Sequence, residues 1–336
     1  MYFLSAFLSV AMLLLLLVPG FILRKTRLVS DKAAKDLSGL LIYIGMPALI
    51  FYCMMDVDIS LVSWQNVVIC LLLSLIVHLI GYVAIKFITI KGKDGAKRAA
   101  ASFGAMFSNC GFLGIPLTKI AIEHCEAFSE NTDAVMSEAM LYVTLFNVVF
   151  NLLNWTLGVS LYGGAEKKSA MARKALLNPC TIALIVALPF TLTGLSLNKP
   201  LNIGGQEITQ IASFIQYLYN ICVPVSMCIL GIRLADMKIK PMFTDGYMYA
   251  SVAVKMFIVP AAVTAICLLL NGFCCIGGAL VMSMVVMAAT PTATTALAFA
   301  ERFDGNTAVA GVCIIASTVI AVAVVPLFLS FTAAFL

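Results

Sequence analysis

Ser108-Asn109-Cys110-Gly111-Phe112-Leu113-Gly114-Ile115-Pro116 interrupts a long apolar stretch in the first half of the chain. Ala288-Ala289-Thr290-Pro291-Thr292-Ala293-Thr294-Thr295 interrupts another in the second half. Each stretch is apolar enough to cross a bilayer, and each breaks at its middle. Hydrocarbon offers no water to unpaired backbone groups, so a broken helix at that depth persists only where protein or a water-filled cavity covers it. Paired breaks at corresponding places in two halves point to a binding site built between internal repeats.

Composition identifies the solvent. The chain is 62% hydrophobic and 11% charged, with mean hydropathy +1.06, whereas soluble domains carry about a quarter charged residues. Such a chain cannot cover itself with polar surface, so lipid is its expected solvent. The 336 residues fill spans and short loops, leaving no room for a soluble catalytic domain. The net charge of +5 sits in loops and reads as membrane orientation, with no nucleic-acid partner. The eleven cysteines are scattered, without a C-x-x-C pair, and Cys274-Cys275 has no His or carboxylate nearby in the sequence. They read as small buried apolar residues, so no metal site, cofactor or disulfide framework is expected. There is no P-loop and no H-E-x-x-H, so ATP-driven transport and zinc proteolysis lack support and the chain reads as no enzyme. Tyr2 to Leu23 has no basic residues before it and no small-residue cleavage site, so it reads as a retained first helix.

Apolar length and breakers predict an all-α polytopic membrane protein with ten spans. Their approximate extents are 2–23, 37–55, 62–88, 99–124, 135–161, 179–196, 208–233, 246–270, 276–302 and 307–332. Of the basic residues, Arg24, Lys25, Arg27, Lys32 and Lys35 fall between spans 1 and 2, and Lys86, Lys91, Lys93, Lys97 and Arg98 around the connection between spans 3 and 4. Lys167, Lys168, Arg173 and Lys174 follow span 5; Arg233, Lys238 and Lys240 follow span 7; and Arg302 follows span 9. The alternate side holds only Lys119 and Lys199, and Lys255 lies inside a span. This bias places both termini outside a cytoplasmic membrane.

The two halves repeat. Span 2 contains Met46-Pro47 and then Asp56; span 7 contains Val223-Pro224 and then Asp236. Pro47 to Pro116 spans 69 positions and Pro224 to Pro291 spans 67. The ionisable residues His78 and Lys255 each follow the corresponding proline by 31 positions. Residues 1–162 and 178–336 thus read as two five-helix repeats, and an odd number of spans makes the second inverted, with broken helices 4 and 9 crossed.

The expected chemistry follows from the breaks. Pro116 and Pro291 suit the first turn of a new half-helix, Thr290 is typed to cap the second one, and Gly111 and Gly114 permit an unwound path. Half-helix N-termini present unpaired N–H groups and partial positive charge, which favours an anion such as a carboxylate. Asn109, Thr292, Thr294 and Thr295 are candidates for added hydrogen bonds. Lys255 is expected to neutralise the anion, to replace a coupling cation, or to snorkel to the interface. His78 is a candidate proton relay or a hydrogen-bonded interior histidine. Thr144, Asn147, Asn151 and Asn154 share one face of span 5 and either line the cavity or bond another helix. No Asp or Glu sits in the middle of a predicted span, which argues against a cation pump. The residues alone leave three classes open: an organic-anion carrier, a cation-coupled exchanger of the same architecture, or a ligand sensor without transport.

Asn109-Cys110-Gly111-Phe112-Leu113-Gly114-Ile115-Pro116-Leu117 resembles the N-x-G-F-x-G-x-P-L of the auxin efflux carrier family, as do Met46-Pro47, Asn178-Pro179 and Thr290-Pro291-Thr292-Ala293. The likeness covers essentially the whole chain. The short segment between spans 5 and 6 is similar to compact bacterial-type members, not to plant auxin exporters with a long central loop. The resemblance implies a fold like that of sodium/bile-acid symporters, with a scaffold from helices 1, 2, 6 and 7 (about 1–55 and 178–234) that can dimerise. It implies a transport domain from helices 3–5 and 8–10 (about 61–162 and 245–333) that slides like an elevator. Asn109, Pro116 and Pro291 carry over as crossing residues and Lys255 as a cation of span 8. The expected function is secondary or facilitative transport of a mono- or dicarboxylate, with proton, sodium or no ion coupled.

Overall fold

A computed structural model describes residues 2–30, 32–55, 63–162, 177, 179–195, 201–203, 206–236 and 245–336. Asp56, Lys167, Lys168, Arg173, Lys174, Asn178, Lys199, Lys238 and Lys240 lie outside the described residues. The helices are α1 (Tyr2–Leu15), α2 (Leu17–Lys25), α3 (Ala33–Met55), α4 (Trp64–Ile88), α5 (Gly95–Met106), α6 (Ile115–Glu123), α7 (Thr132–Leu161), α8 (Pro179–Thr193), α9 (Gln210–Asp236), α10 (Gly246–Cys274), α11 (Gly278–Ala289), α12 (Thr295–Arg302) and α13 (Thr307–Ala333). One small antiparallel hairpin, Leu201–Ile203 with Gln206–Ile208, joins α8 to α9; its brevity hid it from the apolar-run reading. Among the described residues, six helices (α3, α4, α7, α9, α10 and α13) are long and apolar enough to cross a membrane, and α8 and α11 are shorter apolar helices.

Helix α4 shows why the solvent is lipid. Cys70, Ser74, Val77, Gly81 and Ile85 form its buried face, while Val68, Leu72, Leu75, Leu79 and Val83 are exposed on the other. An exposed stripe as apolar as the buried one is stable only in hydrocarbon. Its N-terminus is capped by Ser63, whose hydroxyl accepts the Asn66 N–H, the usual remedy for an unpaired first turn.

The helices pack in two groups. In one, α2 crosses α9, and α3 packs on α8 and α9. Gly20 and Gly231 sit at the α2–α9 crossing, where an added methyl would strike the Cys228 and Leu17 carbonyls respectively. Such backbone approach is how membrane helices gain van der Waals contact without a hydrophobic drive. Arg24 Nε closes this crossing by donating to Asp236 Oδ1 at 2.6 Å and Oδ2 at 2.8 Å. The other group joins α4 to α5 and α7, α11 to α7, α10 and α13, and α5 to α10 and α13. Helix α1 leans on α13, so the first predicted span touches both groups.

Three prolines sit two residues after a π-helical turn: Pro47 after Leu41–Gly45, Pro116 after Cys110–Gly114 and Pro260 after Val254–Ile258. A proline ring collides with the carbonyl four residues back and supplies no N–H. The wider turn relieves that collision without ending the helix, and such turns recur at functional sites.

Candidate functional site at the helix crossing

The two breaks meet. Between α5 and α6, Ser108 pairs antiparallel with Thr292 from the break between α11 and α12. The Asn109 N–H donates to the Pro291 carbonyl at 2.7 Å, and the Ala293 N–H donates to the Phe107 carbonyl at 2.8 Å. Each interrupted helix thus uses the other as the partner its unwound backbone requires. The match of the breaks, read from the sequence as a crossing, is a two-strand contact in the fold.

The details depart from the expected path at several residues. Gly111 and Gly114 are not unwound: they lie in the helical turn Cys110–Gly114, which runs straight into α6. Their use is close packing, since a methyl at Gly111 would strike Met46 Cε, and one at Gly114 would lie 2.5 Å from Met287 Cε. Pro116 stands in the first turn of α6, as expected, but a π-helical turn headed by Asn109 runs into that helix ahead of it. Thr290 does not cap α12; its Oγ1 donates back to the Met287 carbonyl at 2.9 Å and finishes α11. Pro291 stands in the unwound segment, offering its carbonyl to Asn109. Thr292 is tied into the fold: its Oγ1 donates to the Gly104 carbonyl at 2.9 Å, and its N–H to Ser317 Oγ at 3.0 Å. Thr294 precedes α12 without a side-chain cap bond. The Thr295 hydroxyl, on the first residue of α12, has no hydrogen-bond partner among the described residues.

Asn109 differs from these. Its backbone is fully used, donating to Pro291 and accepting from Leu113 and Gly114. Among the described residues its carboxamide makes no cap bond to the helix it heads, although the residue is only 4% exposed. The carboxamide of this buried residue therefore stands at a half-helix N-terminus without capping it.

Lys255 does not snorkel. It is 0% exposed, and its Nζ donates to Ser108 Oγ at 2.7 Å and to the Ala288 carbonyl at 2.8 Å. One ammonium thus binds the first break and the C-terminal end of α11, where a cation complements the helix dipole. No carboxylate pairs with it among the described residues. The π-helical turn Val254–Ile258 carries the side chain to that position. His78, its counterpart in the other half, is also buried. Its Nδ1 lies 2.6 Å from the Ser74 carbonyl, its Nε2 has no partner among the described residues, and the rings of Phe107, Phe146 and Phe150 surround it.

The polar face of α7 bonds mostly to itself. Thr144 Oγ1 donates to the Met140 carbonyl, Asn147 Nδ2 to Val143 and Asn151 Nδ2 to Asn147. Asn147 also reaches the crossing, because its Oδ1 accepts from the Cys110 thiol at 3.2 Å. Asn154 Oδ1 lacks a partner. Ser108 and Met46, quoted from the sequence only as parts of the first break and of the Met46-Pro47 match, contact the crossing, as does Ser317, which the sequence did not single out. A shallow cavity of about 110 Å³ lined by Lys97, Asp245, Met248, Asn306, Ala308, Val309 and Val312 does not include the crossing residues. Beside it Lys97 Nζ lies 2.8 Å from Asp245, whose carboxylate raises the lysine pKa.

Two contacts join the helix groups near the ends of the half-helices. Lys119 of α6 lies over the rings of Tyr52 (5.8 Å) and Tyr219 (5.7 Å). Arg233 of α9 stands 3.9 Å from Glu301 of α12.

Crossed half-helices stitched by a buried lysine, inside a bundle with apolar outer faces, define a multi-pass membrane protein with a polar centre. The chain belongs to the membrane transport protein family, the auxin efflux carrier-like group, whose model matches residues 5–172 and 166–329. It is also similar to an uncharacterized transporter of Methanothermobacter thermautotrophicus, 25% identical over 331 residues, which cover 98% of this chain and 99% of the relative.

Proposed function

We propose that this protein carries a small organic anion, a mono- or dicarboxylate, across the cytoplasmic membrane, and that the anion binds at the crossing. The observation that carries this reading is the Asn109 carboxamide, which heads a half-helix without capping it on a residue only 4% exposed. A carboxylate placed there accepts from the carboxamide and from the unpaired N–H groups of the first turn. The Lys255 ammonium, unpaired by any carboxylate among the described residues, adds positive charge in a region where charge is weakly screened. It also stands where a coupling cation would otherwise hold the two breaks together.

In this reading the chain is two inverted five-helix repeats, ten spans in all, with both termini outside. Helices α2, α3, α8 and α9 form a scaffold that pairs with a second copy, and the group holding the crossing slides against it. The packing of the helices in two groups, linked by few polar contacts, supports that division. Asn109, Thr294 and Thr295 are the anion's side-chain contacts, and Thr290 and Thr292 hold the frame.

The test is uptake of labelled carboxylates by proteoliposomes containing wild type, Asn109→Ala or Lys255→Ala. Saturable uptake that falls in both variants is expected, and unchanged uptake in both sinks the assignment. A pH gradient imposed without sodium separates proton coupling from sodium coupling and from uniport.

A further inference from the structure

We propose that Met46 sets which carboxylates enter the site, by closing the first turn of the half-helix against the scaffold and limiting the chain beyond the carboxylate. This inference rests on the crossing as the carboxylate site. Met46 belongs to α3, in the opposite helix group, yet its Cε packs so closely on Gly111 that a methyl there would strike it. Gly111 is the second residue after Asn109, within the turn whose N–H groups face the proposed anion. Asn147 Oδ1 lies 3.3 Å from the same point and holds the Cys110 thiol. A carboxamide oxygen and a thioether thus meet side by side against this turn.

The placement is built in by the sequence. The wide turn Leu41–Gly45 comes immediately before Met46, and a methyl at Gly45 would lie 2.8 Å from Cys222 Sγ, so α3 is pressed onto α9 just where Met46 emerges. Met46 is 8% exposed, and its three rotatable bonds let the tip withdraw without moving the helix. A ligand tail that displaces it loses this contact and must fit the remaining space. Each methylene admitted to an apolar pocket is worth about 0.8 kcal/mol, or roughly fourfold in affinity.

The experiment is calorimetric titration of the full chain in nanodiscs at constant pH with acetate, butyrate and hexanoate. Wild type is expected to favour the short acids. Met46→Ala is expected to raise the hexanoate-to-acetate affinity ratio tenfold or more, Met46→Phe to lower it, and the near-isosteric Met46→Leu, which keeps the fold, to raise it about threefold. A ratio unmoved by Met46→Leu and by whichever of Met46→Ala and Met46→Phe melts like wild type overturns the inference. Affinities weakened by Asn109→Ala with that unmoved ratio leave the crossing site standing, whereas affinities indifferent to Asn109→Ala overturn both.

Discussion

The two breaks occupy corresponding places in the two halves, but they are finished differently. Both give their backbones to the same antiparallel contact, Asn109 to Pro291 and Ala293 to Phe107. The second break spends its side chains on the fold, with Thr290 bonded to Met287 and Thr292 to Gly104. The first leaves the Asn109 carboxamide out of helix capping and is stitched by Lys255 from another helix. The backbone task is thus shared, while the side-chain tasks differ: the second break bonds Thr290 and Thr292 into the fold, and in the proposed reading the first offers Asn109 to the anion.

The comparison breaks most severely at the residue that serves both sides. Lys255→Met leaves the Ser108 hydroxyl and the Ala288 carbonyl without their buried donor, a loss of about 2–4 kcal/mol. Thermal melting in detergent is expected to fall by several degrees and carboxylate flux to reach background. Asn109→Ala separates the two breaks. It removes a hydrogen bond to a charged ligand, worth roughly 1.5–3 kcal/mol or about tenfold to a hundredfold in affinity, while the melting temperature stays near wild type. Thr292→Val is the mirror experiment: stability drops by about 1–2 kcal/mol, and carboxylate affinity changes less than in Asn109→Ala. If the two variants trade these effects, the division of labour is wrong.

A smaller effect is expected at Gly114, which packs the first half-helix on Met287 just before the second break. Gly114→Ala overpacks this contact by about 1 kcal/mol, moderated because methionine yields, and a modest fall in melting temperature checks it. The smallest effect lies at the entrance to α5, where Asp245 raises the pKa of Lys97. A raised lysine contributes stability that is present below its ordinary value of 10.5 and lost as pH climbs through the raised one. Asp245→Asn should therefore melt slightly below wild type at pH 8, with the gap closing only in strongly alkaline buffer.

Much of this arrangement was legible in the residues. Apolar length located the helices to within a few positions, and Gly, Pro, Thr and Asn in two apolar runs marked the breaks. The pattern could not say which residues unwind, because Pro116 needs only a wider turn ahead of it, and that turn keeps Gly111 and Gly114 helical. Thr290 reads equally well as the end of one helix or the start of the next, and its hydroxyl chose the carbonyl behind it. Lys255 was visible as a charge in hydrocarbon, but its seat depended on Ser108 and Ala288, far away in sequence. Met46 was visible only as part of the Met46-Pro47 match, Ser317 and the Gly104 carbonyl not at all, because their contacts with the crossing arise only through packing.

The strand-like contact between the breaks also bears on how the chain is assembled. The Phe107 carbonyl, the Asn109 N–H and the Gly104 carbonyl are bonded by Ala293, Pro291 and Thr292 respectively, which are synthesised long afterwards. A ribosome that has delivered the chain only through α7 leaves those groups unsatisfied within hydrocarbon, where each costs several kcal/mol. Biogenesis must therefore shelter the early half, in the translocon or among its own side chains, until the late half arrives to complete it.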